Sequence, residues 1–144
     1  SLGLLDSRIG LILLYTLMVL PIVIWIMRDQ FQGIPIELEE AALVDGLGIW
    51  GAFTQIVLPI ALPGMVAAFI LSLVLCWNEY FFAALLTSSN ASTLPVMVAS
   101  QTGSQGINWW SMAALSSAAI LPLVIVAIFL EKYIIKGMAA GAVK

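Results

Sequence analysis

Histidine is absent from this 144-residue chain, and cysteine occurs once. Without histidine the commonest general base and metal ligand is missing. The single thiol, Cys76, lies in an apolar run without a partner, which excludes a disulfide framework and a cysteine metal cluster. No G-x-x-x-x-G-K followed by Ser or Thr occurs, so the chain lacks the usual loop for cradling nucleotide phosphates. No nucleophile–base pair stands out. Charge is scarce as well: 9% of residues are charged, against about 25% in an ordinary soluble domain. Lys and Arg are thinly scattered and the net charge is −3, which argues against a nucleic-acid partner.

Apolar residues fill the space that charge leaves. They make up 62% of the chain, and the mean hydropathy is +1.12. Too few polar side chains remain to cover a water-facing surface, which sets the membrane class. A helical span needs about 20 residues to cross a hydrocarbon core of about 30 Å. Ile9 to Met27 runs 19 residues without a charge and is closed by Arg28, predicting a first span over about 9–28. Ile56 to Trp77 gives 22 more, and the run resumes past Asn78 and Glu79 as Tyr80 to Leu86. With Pro59, Pro63 and Gly64 near its start, this predicts a second span over about 60–85, beginning near Pro63. Trp109-Trp110 opens the third, as interfacial aromatics do. Ser111 to Leu130 follows without a charge, predicting a span over about 110–131. Pro21 and Pro122 fall inside spans, where neighbouring helices re-satisfy the freed backbone; a packing kink is the simpler reading of Pro21, a gate the sharper one. Between the last two spans, Thr87 to Asn108 is an uncharged polar loop with a short apolar stretch, Leu94 to Ala99. The fold class is therefore an all-α integral membrane protein with three transmembrane helices and one short helix outside the bilayer.

That short helix comes from Ile34 to Pro59, where the acids crowd together. Glu37, Glu39 and Glu40 precede Ala41-Ala42, then Asp45 and Gly46. Pro35 suits a first helical turn, acids there favour the helix dipole, and Gly46 suits the left-handed residue past the end. A helix of about ten residues, roughly 15 Å long, is expected. Gly46, Gly48 and Gly51 are expected to break the chain before the next span.

Glu40-Ala41-Ala42, three residues, Gly46, nine residues, then Ile56-x-Leu58-Pro59 resembles the EAA loop of ABC-importer permease subunits. The spacing matches throughout. The resemblance implies a cytoplasmic coupling helix that docks into a cleft on an ATPase subunit, with Glu40, Ala41, Ala42, Asp45 and Gly46 as its coupling residues. It implies partners: a dimer of ATP-binding subunits that use ATP and Mg, a second permease subunit and an extracytoplasmic solute-binding protein. This chain itself would hold no cofactor. The tail Gly137 to Lys144 is similar to that of the maltose-type, carbohydrate-importing branch, where the tail reaches the ATPase dimer; Gly141 and Lys144 would be its contacts. The Trp-Asn-Glu group and Thr93-Leu94-Pro95-Val96 also resemble that branch, narrowing the solute to sugars, polyols or related carbohydrates. Members of the branch usually have six spans, so the chain reads as the C-terminal part of a longer permease; it opens on Ser1, without a basic, small-residue-cleaved leader.

Trp77, Asn78, Glu79 and Tyr80 are the second candidate group. An ionisable residue near a span usually faces a cavity or partner, and aromatic faces beside polar groups suit a sugar, which favours a share in the solute path. Interfacial anchoring or packing is the plainer reading. For the acidic helix the plainer reading is a surface helix on lipid headgroups, though such helices are usually basic on their polar face. Arg28, Lys132, Lys136 and Lys144 on one side against Arg8 on the other place the acidic loop and the C-terminus in the cytoplasm. Two rivals remain: an EAA-type permease for a polyamine or ion, separated by solute binding to the partner binding protein, and a membrane scaffold, separated by whether an ATPase co-purifies.

Overall fold

A computed structural model describes residues 4–103 and 106–141. Its elements are α1 (Arg8–Gln32), α2 (Ile36–Val44), α3 (Ile49–Ala52), a π-helical turn (Phe53–Val57), α4 (Leu58–Trp77), α5 (Phe81–Leu86), α6 (Leu94–Ala99), a two-residue antiparallel ribbon of β1 (Thr102–Gly103) and β2 (Gly106–Ile107), and α7 (Trp109–Gly141). The architecture is all-helical apart from that ribbon.

Among the described residues three helices are long and apolar enough to cross a bilayer: Arg8–Gln32, Ile49–Trp77 and Trp109–Glu131. At 1.5 Å per residue the shortest, 23 residues, reaches roughly 35 Å, more than the hydrocarbon core of about 30 Å. Their large side chains point outward: Leu17, Trp25, Ile128 and Phe129 are all exposed. An apolar surface of that extent belongs against lipid or other protein, not water.

The helix that carries the second span has other bounds than the expected 60–85. Its helix starts at Ile49, passes Pro59 and Pro63 without ending, and stops at Trp77. Proline lacks an N–H and its ring crowds the carbonyl four residues back. The wide turn over Phe53–Val57 lies where Pro59 would otherwise meet the Gln55 carbonyl, so the chain opens there instead of breaking. In lipid a broken helix strands backbone groups, and a locally widened one does not. Gly51 lies inside α3, so of the three glycines only Gly46 and Gly48 punctuate the chain. At the other end the run divides: Asn78, Glu79 and Tyr80 separate α4 from α5. The first helix extends to Gln32, and α7 continues beyond Glu131 to Gly141.

The described residues form two compact units. One joins the residues up to Val19 with Leu73–Phe129. Its core is Leu11, Ala83 and Ala91, with Tyr15 and Val96 packed against it. Here the Trp77 indole Nε1–H donates to the Ala119 carbonyl at 3.0 Å. That carbonyl lies three residues before Pro122, on the turn next to the one whose N–H the proline removes, and the bond ties α4 to α7 there. Asn108 caps α7, its Oδ1 accepting the Ser111 N–H at 3.2 Å.

The other unit joins Leu20–Ser72 with the residues from Leu130. Ile34, Val57 and Ala61 form its core, and Ala42 and Ala52 are buried beside α2 and α3. The Gln30 side chain lies across Gly64, occupying the place a β-carbon would take.

Gly10 has a firmer constraint. A β-carbon there would meet the Leu4 carbonyl oxygen, which is backbone and cannot swing aside. Gly10→Ala should therefore displace the turn before α1 at a cost of about 1–3 kcal/mol, seen as a lower unfolding midpoint of the purified protein; an unchanged midpoint would show that the turn is free to shift.

Candidate functional site

The acidic stretch forms a helix whose end is built residue by residue. Pro35 holds the capping position at φ −61°, ψ 131°, and nine helical residues follow. Glu37 and Glu39 fall in the first turn, where the helix dipole favours negative charge. The helix stops in a Schellman arrangement: Leu47 N–H donates to the Ala42 carbonyl at 3.0 Å, and Gly46 N–H to the Leu43 carbonyl at 3.1 Å. Asp45 N–H also reaches the Ala41 carbonyl at 2.9 Å. The arrangement demands a left-handed residue at position 46, and Gly46 has φ +89°. Nothing lies within 4 Å of where its β-carbon would be, so the backbone angle alone selects glycine.

Of the five candidate coupling residues, Glu40, Ala41, Asp45 and Gly46 face solvent, while Ala42 is buried. Ala42 thus works inward: its small side chain lets α2 lie close on α3 and the π turn, and its carbonyl accepts from the turn. The outward surface holds apolar residues that spacing did not single out. Val44 is 86% exposed, Ile49 80% and Trp50 79%, beside exposed Ile36, Leu38 and Leu43. The Trp50 ring meets Phe53 edge-on at 6.2 Å between centroids. An exposed helix–turn–helix carrying acids and large apolar side chains is suited to contact with another protein. The signal available in the sequence was the isolated Ile49-Trp50 pair after Gly48, which the spacing passed over.

The second candidate group divides. Trp77, Asn78 and Tyr80 line a cavity of about 410 Å³, together with residues of α6 and α7 that include Leu94, Pro95, Ser116 and Ile120. Most of its wall is apolar. Glu79 is not among its lining residues: its carboxylate accepts the Tyr15 hydroxyl at 2.9 Å and the backbone N–H groups of Phe82 and Ala83 at 2.8 and 3.1 Å. Glu79 thus caps the start of α5 and joins it to α1 through Tyr15. Tyr15, 64 residues away in sequence, gave no sign of the pairing.

Asp6 is a further polar centre that the sequence did not mark. Its carboxylate accepts from Ser88 (N–H and hydroxyl, both 2.8 Å), from Asn90 (N–H and side-chain amide) and from the Ala91 N–H at 3.2 Å. These donors, the Ser88 N–H foremost, pull its pKa from the ordinary 3.8 to about 2. Of the tail residues, Gly141 is the last of α7, and Lys144 lies outside the described residues. Among the described residues no cluster of three His, Cys, Asp or Glu side chains could hold a metal ion.

Three apolar helices long enough to cross a bilayer, with an exposed acidic turn before the second, define an integral membrane protein. The chain belongs to the binding-protein-dependent transport system inner membrane component family, whose model matches residues 2–140. It is similar to the trehalose/maltose transport system permease protein MalG of Thermococcus litoralis, at 37% identity over all of this chain and 52% of the relative. It is also similar to the trehalose transport system permease protein SugB of Mycobacterium tuberculosis, at 36% identity over all of this chain and 54% of the relative. The diacetylchitobiose uptake system permease protein DasC of Streptomyces coelicolor is 33% identical over 99% of this chain and 52% of its own length. The chain thus spans about half the length of these relatives.

Two outcomes are expected. Gly46→Ala should cost about 1–2 kcal/mol by forcing a β-carbon into the left-handed region, read as faster proteolysis in the 44–48 turn; unchanged cleavage would contradict the motif. Because the Asp6 pKa is lowered on folding, its contribution is present above about pH 3.8 and is lost as pH falls toward about 2. Amide exchange at Ser88–Ala91 should therefore stay protected at pH 5 and open only below pH 4; opening near neutrality would contradict the assignment.

Proposed function

We propose that this chain forms part of the permease of an ATP-driven importer of carbohydrates in the cell inner membrane. The observation that carries the reading is the exposed α2 turn, where acids and large apolar side chains stand on a helix end fixed by Ala42 and Gly46. Membership in the transport family supports it, as do relatives named for trehalose, maltose and diacetylchitobiose transport. In this reading α2 faces the cytoplasm and docks on one of two ATP-binding partner subunits, which bind ATP and Mg and carry out hydrolysis. Glu40 and Asp45 supply acceptors at the contact; Val44, Ile49 and Trp50 supply the apolar area. Ala41 allows close approach, while Ala42 and Gly46 hold the turn rigid enough to pass on a push. The C-terminal tail, with Gly141 and Lys144, reaches the same partners. A second permease subunit completes the pathway, an extracytoplasmic solute-binding protein delivers the sugar, and lipid covers the outer faces of the spans.

The mechanism asks little chemistry of this chain. Closing of the ATPase pair displaces α2. The rigid turn passes that displacement into the continuous helix from Ile49 to Trp77, and the spans exchange inward-open for outward-open packing. Carbohydrate passes between permease subunits and is not chemically altered.

Glu40→Lys tests the coupling. It reverses a charge on an exposed face, so membrane insertion should be normal. In the complete transporter it should cut sugar-stimulated ATP hydrolysis and uptake by about tenfold or more, the scale of like-charge contacts at interfaces. Full uptake at normal expression would refute the docking role.

A further inference from the structure

Helix α5 has six residues, too few to be stable alone. It follows a break in a span, so its position must be set by something else. Two carboxylates hold it from opposite ends. At its start Glu79 accepts the Phe82 and Ala83 N–H groups and also the Tyr15 hydroxyl of α1. At its end the Asp6 N–H donates to the Leu86 carbonyl at 2.7 Å. The Asp6 carboxylate then gathers Ser88, Asn90 and Ala91 from the following turn. Asp6 stands just before α1 and Tyr15 lies within its first half, so both ties lead to one stretch of chain. Between them Ala83, fully buried, packs with Leu11 and Ala91. Thr87 closes the helix with its hydroxyl on the Ala83 carbonyl at 2.6 Å.

The attachments of α4 lie elsewhere. The Asn78 side-chain amide returns to the Val74 carbonyl at 2.8 Å, and Trp77 donates to α7. The Asn78 N–H also donates to the Val74 carbonyl at 3.1 Å, and beyond it the bond from the Glu79 N–H back to the Cys76 carbonyl is long, 3.4 Å.

We infer that Asp6 and Glu79 form a two-point clasp that makes α5 and the 87–91 turn travel with the start of α1, leaving Asn78–Tyr80 as the joint at which α4 flexes against them. Asp6, Tyr15 and Glu79 are then positioning residues. Their consequence for transport rests on the importer reading above; the clasp itself does not.

The test uses the complete transporter in lipid nanodiscs or vesicles, with native thiols replaced and Asp6→Cys and Ser88→Cys introduced together. Reduced, this variant lacks the Asp6 carboxylate. Amides of Phe82–Leu86 should then exchange about tenfold faster than in the parent, the scale of a lost cap, and uptake should fall. Oxidation should restore both protection and uptake. If oxidation abolishes uptake, α5 must part from α1 during the cycle and the clasp is overturned; unchanged exchange in the reduced form overturns it equally. Glu79→Gln and Glu79→Ala give an independent route should the double variant misfold. The glutamine keeps an acceptor and should retain most protection, whereas the alanine should lose it; equal protection in the two variants contradicts the clasp. Exchange is read without any solute, so a parent that fails to import sugar would count against the importer reading and leave the clasp measurable.

Discussion

Lipid offers no hydrogen-bond partner, and the structure follows from that lack. Every backbone N–H and C=O in the bilayer must be satisfied within protein. Three long helices satisfy nearly all of them internally, so prolines that would end a helix in water are carried through: Pro21 in α1, Pro63 in α4 and Pro122 in α7. Where the ladder weakens before Pro59, a π turn serves, and near Pro122 an indole N–H ties α4 to α7.

The same constraint explains how so few charges are used. Glu79 stands at the one break within a span's apolar run and is spent on two backbone donors and a tyrosine hydroxyl. Asp6 satisfies the uncovered donors of a turn more than 80 residues away. Each acid takes up N–H groups that helices leave unpaired. The acids of α2 do not: they remain exposed beside bare Val44, Ile49 and Trp50, and the proposed docking rests on that surplus.

What was legible in the sequence was what depends on neighbours in sequence. Uncharged runs of about 20 residues marked three spans, and the Ala42–Gly46 spacing marked the turn, because a Schellman end is a local pattern. The helix that carries the second span begins at Ile49, earlier than the sequence suggested, because Pro59, Pro63 and Gly51 are helix breakers in water and the sequence does not show a wide turn absorbing one of them. The division of Trp77 to Tyr80 was equally hidden. Three face a cavity and Glu79 does not, an outcome set by Tyr15 and α5. Asp6 went unmarked because its partners lie on a distant turn.

The account turns on the rigid, exposed end of α2 being pressed by an ATPase partner. The most direct measurement labels a single cysteine at Val44 in the intact transporter with a membrane-impermeant thiol reagent, in vesicles of each orientation, with and without the ATP-binding subunits. The account predicts labelling only from the cytoplasmic face, and its loss when the subunits are bound. Labelling from the opposite face, or labelling indifferent to those subunits, would contradict it.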